Sequence, residues 1–418
     1  MSHQPSSSLT PVIIGIDWAD RQHDVCIVDD KRTTFMTIAH EPEVIVEWLD
    51  QTRQSFPGRA ILVAIEQGRG ALMHALLDTE GVVIYSINPK QSANYRTALY
   101  PSGGKTDPKD AELLALFLVN HREKLRPWHA EDVETRKLGY LSELRRKIVE
   151  QRKSLGLKLE GILKLYFPHA LSFGKTTSPL LLELLNRWPS LPELKRPHPN
   201  TLRQFFKEHG VKHEDRQTKL ITAIRSATPL TTDKALIETH ALYVQCLVKQ
   251  IIELNRSVAL FDEQLKQAVA KHPDEPIFRA LPGAGDALTP RLIVAFGADR
   301  DRYDAAENVQ CRSGIAPITS QSGKSRVVSK RVACPKFLKQ TFHEFADQAR
   351  RWSDWSRAFY NLKRSQGMKH NAAVRALAFK WLRIMFRLWK TRTIYSEQAY
   401  IQQLRLKQSP IIAFLPKT

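Results

Sequence analysis

The sequence predicts three parts: a mixed α/β domain over residues 1–130, a helical coiled-coil region over 131–272, and a mainly helical, basic region over 273–418. Three observations predict this. Short, β-rich apolar runs alternate with helical stretches in the first part, the pattern of a central sheet with helices beside it. Apolar residues then recur in heptads along one long helix. Positive charge, finally, is concentrated near the C-terminus.

The elements follow in order. Val12 to Asp17 is a short β-branched apolar run that suits a buried strand. Asp24 to Val28 and Ile61 to Ile65 are expected as further strands, then a helix over Gly70 to Asp78 and a strand over Val82 to Ile87, closed by Asn88-Pro89. From Glu131 to about Leu165 the spacing turns helical, with Leu138, Leu141, Ile148, Leu155 and Leu159 recurring. A stretch with Pro189, Pro192, Pro197 and Pro199 is expected to break helices. A long helix is then expected from Thr232 to Lys271. Ile237, Val244, Ile251, Val258 and Leu265 fill one heptad position, and Leu247, Leu254, Phe261 and Ala268 the position three later, where His240 is the exception. β-Branched residues in the first position with Leu in the second favour a two-stranded coiled coil. Its partner is either a second protomer or the 131–165 helix of the same chain. The last part opens at Pro273 and is mostly helical after Pro335.

The chain carries 63 Lys and Arg against 43 Asp and Glu, a net charge of +20. From Lys324 onward there are 21 basic residues against only Glu344, Asp347, Asp354 and Glu397, a net +17. A near-neutral body with a basic end points to a polyanionic partner; the plainer alternative is a basic protein associated with ribosomes. Cys26, Cys246, Cys311 and Cys334 form no C-x-x-C pair, which argues against a zinc ribbon or a disulfide scaffold. The polar, Ser-rich start has no apolar signal core, and no run is apolar enough to span a bilayer, so a cytoplasmic protein without a membrane partner is expected. The basic amphipathic run from Lys380 to Lys390 is read as a buried helix flanked by Lys and Arg stems.

Four acids carry the chemistry. Asp17 and Glu66 each end an apolar strand, where a carboxylate is costly unless something pairs with it. Asp107 and Asp110 open an apolar helix at a spacing that puts both on one face. Hard divalent cations need such clustered oxygen ligands, and two-metal phosphoryl transfer uses three or four of them. Taken singly, each has a plainer reading. Asp107-Pro108 makes a good helix start, Asp110 completes a capping pattern, Asp17 suits a turn, and Asp20 and Asp24 compete as ligands.

Gly15-Ile-Asp17-Trp-Ala, Ile65-Glu66, Ile87-Asn-Pro89 and Lys105-Thr-Asp107-Pro-Lys-Asp110-Ala111 together resemble the RuvC-like (RNase H-like) half of the DEDD insertion-sequence transposases, the bridge-RNA-guided DNA recombinases. Leu281-Pro-Gly-Ala-Gly285, Gly314-Ile-Ala-Pro317 and Ser322-Gly323 are similar to that family's second domain. The resemblance implies that Asp17, Glu66, Asp107 and Asp110 bind Mg²⁺ or Mn²⁺. It also implies a nucleophilic serine that forms a covalent 5′-phosphoserine link to DNA. Ser322 matches it best; members often carry two adjacent serines there, but Gln321 stands between Ser320 and Ser322, which leaves Ser320 as the alternative. The implied partners are donor and target DNA, a structured bridge RNA, and further copies of the chain in a homodimer, with a tetramer in the active complex. The implied setting is bacterial and nucleoid-associated.

Lys324, Arg326, Lys330 and Arg331 follow the serine and are candidates for neutralising a nucleic-acid backbone. Pro282-Gly-Ala-Gly285 looks like a helix-hairpin-helix turn offering backbone N–H groups to phosphate, or else a simple connector. Trp352, Trp355, Phe359 and Tyr360 suit base stacking or core packing. Two other functions compete: a Holliday-junction endonuclease of the RuvC type that uses the acids alone to activate water, and a non-catalytic nucleic-acid-binding protein.

Overall fold

The computed structural model describes residues 10–30, 32–66, 71–77, 79–100, 106–323 and 325–416. These fall into two compact units, Met1–Ala130 and Glu131–Thr418.

The first unit is built on a five-stranded sheet in the order β3-β2-β1-β4-β5. Its strands are β1 (Val12–Trp18), β2 (Gln22–Asp29), β3 (Arg32–Ala39), β4 (Ile61–Glu66) and β5 (Val82–Ile87). β2 runs antiparallel to both β1 and β3, while β1, β4 and β5 are parallel, as their crossover connections require. This is an RNase H-like, mixed α/β domain of the RuvC-like kind. Helices α1 (Pro42–Ser55), α2 (Ala71–Leu77), α3 (Pro89–Leu99) and α4 (Asp107–His121) complete it.

Period-2 alternation sorts the strands between two cores. Val12, Ile14, Ile16, Ile61, Val63 and Ile65 pack with Ile45, Trp48 and Leu49 of α1 and with α2. Leu62, Ala64, Tyr85 and Ile87 pack on the other face with Leu114, Phe117 and Leu118 of α4. At Gly15 the backbone of α4 sits against β1: a Cβ there would lie 2.0 Å from the Ala111 carbonyl oxygen and 2.5 Å from the Ala115 nitrogen. Glycine in the strand and two alanines one helical turn apart therefore set the depth at which α4 docks. Cys26, buried beside Ala111 and Ala115, has its thiol pushed up to about 12 by burial and by Glu112.

The second unit is helical, and its scaffold is a pair of long helices, α5 (Val133–Tyr166) and α10 (Lys234–Ala270). They run antiparallel: Thr135 bonds His272 just beyond α10, Arg145 pairs with Asp262, and Arg152 donates to Asn255. Most of the heptad stripe faces inward: Val244, Leu247, Ile251, Val258, Leu265 and Ala268 are buried within the chain, and Ile237, Leu254 and Phe261 are half-buried. Near one end the pair packs α6 (Pro179–Arg187), α7 (Leu191–Lys195), α8 (Pro199–Glu208) and α9 (Glu214–Ser226) into one core. Of the four prolines expected to break helices here, Pro189 and Pro197 lie in the breaks between α6, α7 and α8, whereas Pro192 and Pro199 fall at the second and first helical positions, where no N–H is needed.

Near the other end Leu138, Leu265 and Val269 join the core of the C-terminal helices. These are α11 (Glu275–Arg279), α12 (Gly285–Phe296), α13 (Ala306–Arg312), α14 (Lys336–Trp352), α15 (Asp354–Ser365), α16 (His370–Thr391) and α17 (Glu397–Leu406). The Lys380–Lys390 run lies in α16 and buries Trp381, Leu382, Met385 and Trp389, as a core helix does. No helix among the described residues is long and apolar enough to cross a membrane. Between α13 and α14 stands a small antiparallel hairpin, β6 (Ile318–Ser322) and β7 (Ser325–Ser329), every residue of both strands exposed.

Candidate active site

Asp17 lies near the C-terminal end of β1 and Glu66 ends the parallel neighbour β4. Ile16 pairs with Ile65, so Asp17 and Glu66 sit one step further along adjacent strands. Alternation puts both on the sheet face that carries α4, because Ile16 and Ile65 point into the opposite core. Asp24, directly across from Asp17 on β2, adds another carboxylate to this edge and accepts a hydrogen bond from the Thr37 hydroxyl at 2.9 Å.

The close docking at Gly15 brings the first turn of α4 to the same sheet face. Asp110 is buried there, 6% exposed, while Asp107 is exposed. The Asp110 carboxylate accepts from the Arg96 guanidinium at 2.7 Å. Arg96 comes from α3, whose start is fixed by Asn88 accepting from the Lys90 N–H and by Pro89. Reading the sequence missed Arg96. The only available signal was a lone arginine on a short polar helix, and nothing in its spacing ties it to Asp110.

The donors are all carboxylate oxygens on two strand ends and one helix start, a set whose chemistry suits a hard divalent cation. Among the described residues, however, no three His, Cys, Asp or Glu side chains converge closely enough to hold one ion. Lys105 of the sequence motif lies outside the described residues.

In the second unit Ser322 ends β6 opposite Ser325, with Gly323 and Lys324 between them. A two-residue connection demands positive φ, and Gly323 has φ +54° with nothing near the place where a Cβ would stand. Ser322 is therefore presented at the tip of a ribbon. Ser320, two residues earlier, lies on the same ribbon face and pairs with Val327. Both are exposed. Arg326 sits opposite Gln321, and Lys330 is exposed just after β7. Arg331 lies against Cys311, and Lys324 falls outside the described residues.

Two other sequence readings meet the geometry differently. In the Pro282–Gly285 turn, a Cβ on Gly283 would lie 2.9 Å from Trp352 Cδ1 and 3.2 Å from the Gln348 backbone. That side of the turn is covered by α14, as a helix connector is. Of the four aromatics, Trp355 is fully buried against Trp381 and Tyr400, and its indole N–H donates to the Tyr395 hydroxyl. Tyr360 bonds His370, and only Trp352 is broadly exposed, at 72%.

A sheet of this order with carboxylates on its parallel strand ends defines the class, an RNase H-like domain of the nuclease kind. Comparison with known proteins narrows it. A family model described as a transposase, of the DEDD type of IS110, matches residues 14–168, and the model of the transposase IS116/IS110/IS902 family matches residues 275–361. The chain belongs to this IS110 transposase family. It is 28% identical to the "Mini-circle putative transposase for IS117" of Streptomyces coelicolor, over 94% of this chain and 96% of that protein. It is 24% identical to an uncharacterized 42 kDa protein of insertion element IS900 from Mycobacterium paratuberculosis, over 92% of this chain and 97% of that one. An uncharacterized 44.8 kDa protein of IS116 from Streptomyces clavuligerus is 23% identical over 93% of this chain and 97% of its own length.

Proposed function

We propose that the chain is a DNA recombinase of an insertion sequence, cutting and rejoining strands through a covalent 5′-phosphoserine at Ser322 with help from Asp17, Glu66, Asp107 and Asp110. One observation carries this reading. Asp17 and Glu66 end neighbouring parallel strands on the sheet face where Gly15 lets the start of α4, with Asp110, come close. Acids placed there serve phosphoryl transfer rather than fold stability, since an apolar residue at any of these positions would pack at lower cost.

Asp17, Glu66, Asp107 and Asp110 would hold a divalent cation, which would supply positive charge favouring a serine alkoxide and the crowded phosphate. The protein's own part is to hold the acids on rigid elements and to present Ser322 on an open ribbon that a DNA backbone can approach closely. Arg326, Lys330 and Arg331, with Lys324, neutralise the flanking phosphates. A serine ester keeps the phosphodiester energy, so strands reseal without ATP.

Guidance by a structured bridge RNA and assembly into dimers or tetramers rest on the resemblance to the family. Sequencing RNA that co-purifies with the chain tests the first, and analytical ultracentrifugation the second. Six heptad residues of α10 are buried within the chain, while Ile237, Leu254 and Phe261 stay half-buried; with the exposed Leu144, Leu157 and Leu260 on α5 and α10 they offer apolar area for an assembly surface.

The deciding experiment is a denaturing gel of protein incubated with cognate DNA and Mg²⁺. Wild type gives a protein–DNA adduct and Ser322→Ala gives none. An adduct lost in Ser320→Ala but kept in Ser322→Ala moves the assignment two residues back. Strand cleavage without any adduct supports the junction-nuclease reading instead. If the site is composite between protomers, mixing Ser322→Ala with Asp17→Asn chains restores part of the adduct.

A further inference from the structure

A groove of about 1350 Å³ runs between the root of the β6–β7 hairpin and the faces of α15, α16 and α17. Its lining holds Lys363, Arg375, Lys380, Arg383, Arg387 and Lys407, with Lys330 at the hairpin end, and not one Asp or Glu. Arg383 alone among them has a carboxylate within ion-pair range among the described residues, Glu307 at 3.7 Å, and that pair is well exposed. A wall with so many cations and no internal counter-charge repels itself unless a polyanion lies along it.

The floor is of another kind. Ile315, Phe359, Phe379, Leu388, Tyr395 and Tyr400 put apolar and aromatic surface between the cations. Lys380 lies over the Phe359 ring at 5.2 Å, and burial together with Lys363 lowers its ammonium below the usual lysine range. A cationic rim over an aromatic floor is the surface that holds a nucleic-acid strand with its bases unpaired, because stacked and paired bases offer no free ring face. A duplex presents phosphates outward and gains nothing from the floor.

The position of the groove names the strand. β7 runs from Ser325, opposite Ser322 at the tip, to Val328 and Ser329, which line the groove. Four residue steps of extended chain cover roughly 13 Å. A strand attached at Ser322 therefore reaches the groove within a few nucleotides. We propose that the groove between the hairpin root and helices α15–α17 binds the unpaired DNA strand flanking the phosphate attacked at Ser322. The proposal rests on the reading of Ser322 given above, and binding is measured separately from attack so that the two can fail independently.

The test uses the full chain carrying Ser322→Ala, so that no adduct contributes, and fluorescence anisotropy with a labelled single-stranded DNA of mixed sequence. Adding Arg383→Glu, Arg387→Glu and Lys407→Glu, all on the exposed rim, should weaken binding at least tenfold. It should also flatten the log–log salt dependence by about 0.7 for each phosphate no longer neutralised. Lys249→Glu with Lys266→Glu, a charge reversal of the same kind on the outside of α10, should leave affinity within twofold. Equal affinity of the rim variant and its parent overturns the proposal. So does an equal loss for fully paired DNA, or an RNA strand of the same sequence that binds tighter and displaces the DNA. Photo-crosslinking of 5-iodouracil DNA to the unsubstituted rim guards against a misfolded variant. Crosslinks in the 370–407 segment support the groove, and crosslinks confined to other segments overturn it. An adduct formed by Ser322→Ala would defeat the attack reading and leave the groove measurement standing.

Discussion

The two units solve opposite problems. Met1–Ala130 carries 13 Lys and Arg against 16 Asp and Glu, a net −3, whereas Glu131–Thr418 carries 50 against 27, a net +23. The first unit places its chemical groups at half-buried strand ends and on a helix pressed against the sheet. The second presents its candidate nucleophile on a hairpin with no buried residue. Carboxylates that must share a charge need fixed spacing, which packed elements give. A serine proposed to meet a DNA phosphate needs reach and clearance, which an exposed ribbon gives. Rigidity at one end and openness at the other follow from what each group has to touch.

The largest effect is expected at the acids: Asp17→Asn or Asp110→Asn should abolish adduct formation and strand transfer while nucleic-acid binding, measured by anisotropy, stays near wild type. Strand transfer at the wild-type rate would remove these residues from the site. Next comes the scaffold of the second unit. Ile251→Lys puts an unpaired charge between α5 and α10 and should cost roughly 4 kcal/mol, read as a fall in the denaturant midpoint; a change in oligomeric state at unchanged stability would instead mean that Ile251 faces another protomer.

Two glycines sharpen the contrast. Gly15→Ala forces a methyl onto the backbone of α4 and should cost about 3 kcal/mol. Gly323→Ala, with open space around it and φ +54°, should cost only about 1 kcal/mol while misplacing Ser322. Comparable losses of stability would contradict the rigid-versus-open distinction. The smallest effect concerns pH. Burial and the neighbouring His40 hold His23 below its ordinary value of 6.5, with Asp24 opposing them. The unfolded chain therefore binds the proton more readily, and His23 contributes stability above about pH 6.5 that is lost as pH falls below it. A melting series from pH 7.5 to 5.5 should decline more steeply for wild type than for His23→Gln.

Much of this was legible because physics writes it locally. β4 is apolar up to its closing Glu66 and β5 is interrupted only by Ser86, and the structure gives Ile61–Glu66 and Val82–Ile87. The two long helices announce themselves by their periodicity and end near the expected residues, Val133–Tyr166 and Lys234–Ala270. β3 was missed because six of its eight residues are exposed, which leaves no buried face to mark the alternation. The β6–β7 hairpin escaped for the same reason: two exposed strands in Ser-rich sequence read as a loop. The heptads left the partner of α10 open, since a stripe says that it will be covered but not by what; packing within the chain buries six of its nine residues. The acids of the candidate site were visible as residues out of keeping with their apolar runs. Arg96 was not, because its meaning depends on an ion pair across fourteen positions that no period encodes.

The Arg96–Asp110 pair also bears on how the protein is stored. Acids gathered without a counter-charge push one another apart, and many metalloproteins stay folded only while loaded. With the Arg96 guanidinium on Asp110, part of that repulsion is cancelled by the chain itself. The nuclease-like unit can then be synthesised, fold and persist in an ion-poor state, and a chelator should silence it without melting it. At the proposed metal site, loading would exchange one cation for another at Asp110, and ion supply would then set when the protein is active while having little bearing on whether it survives.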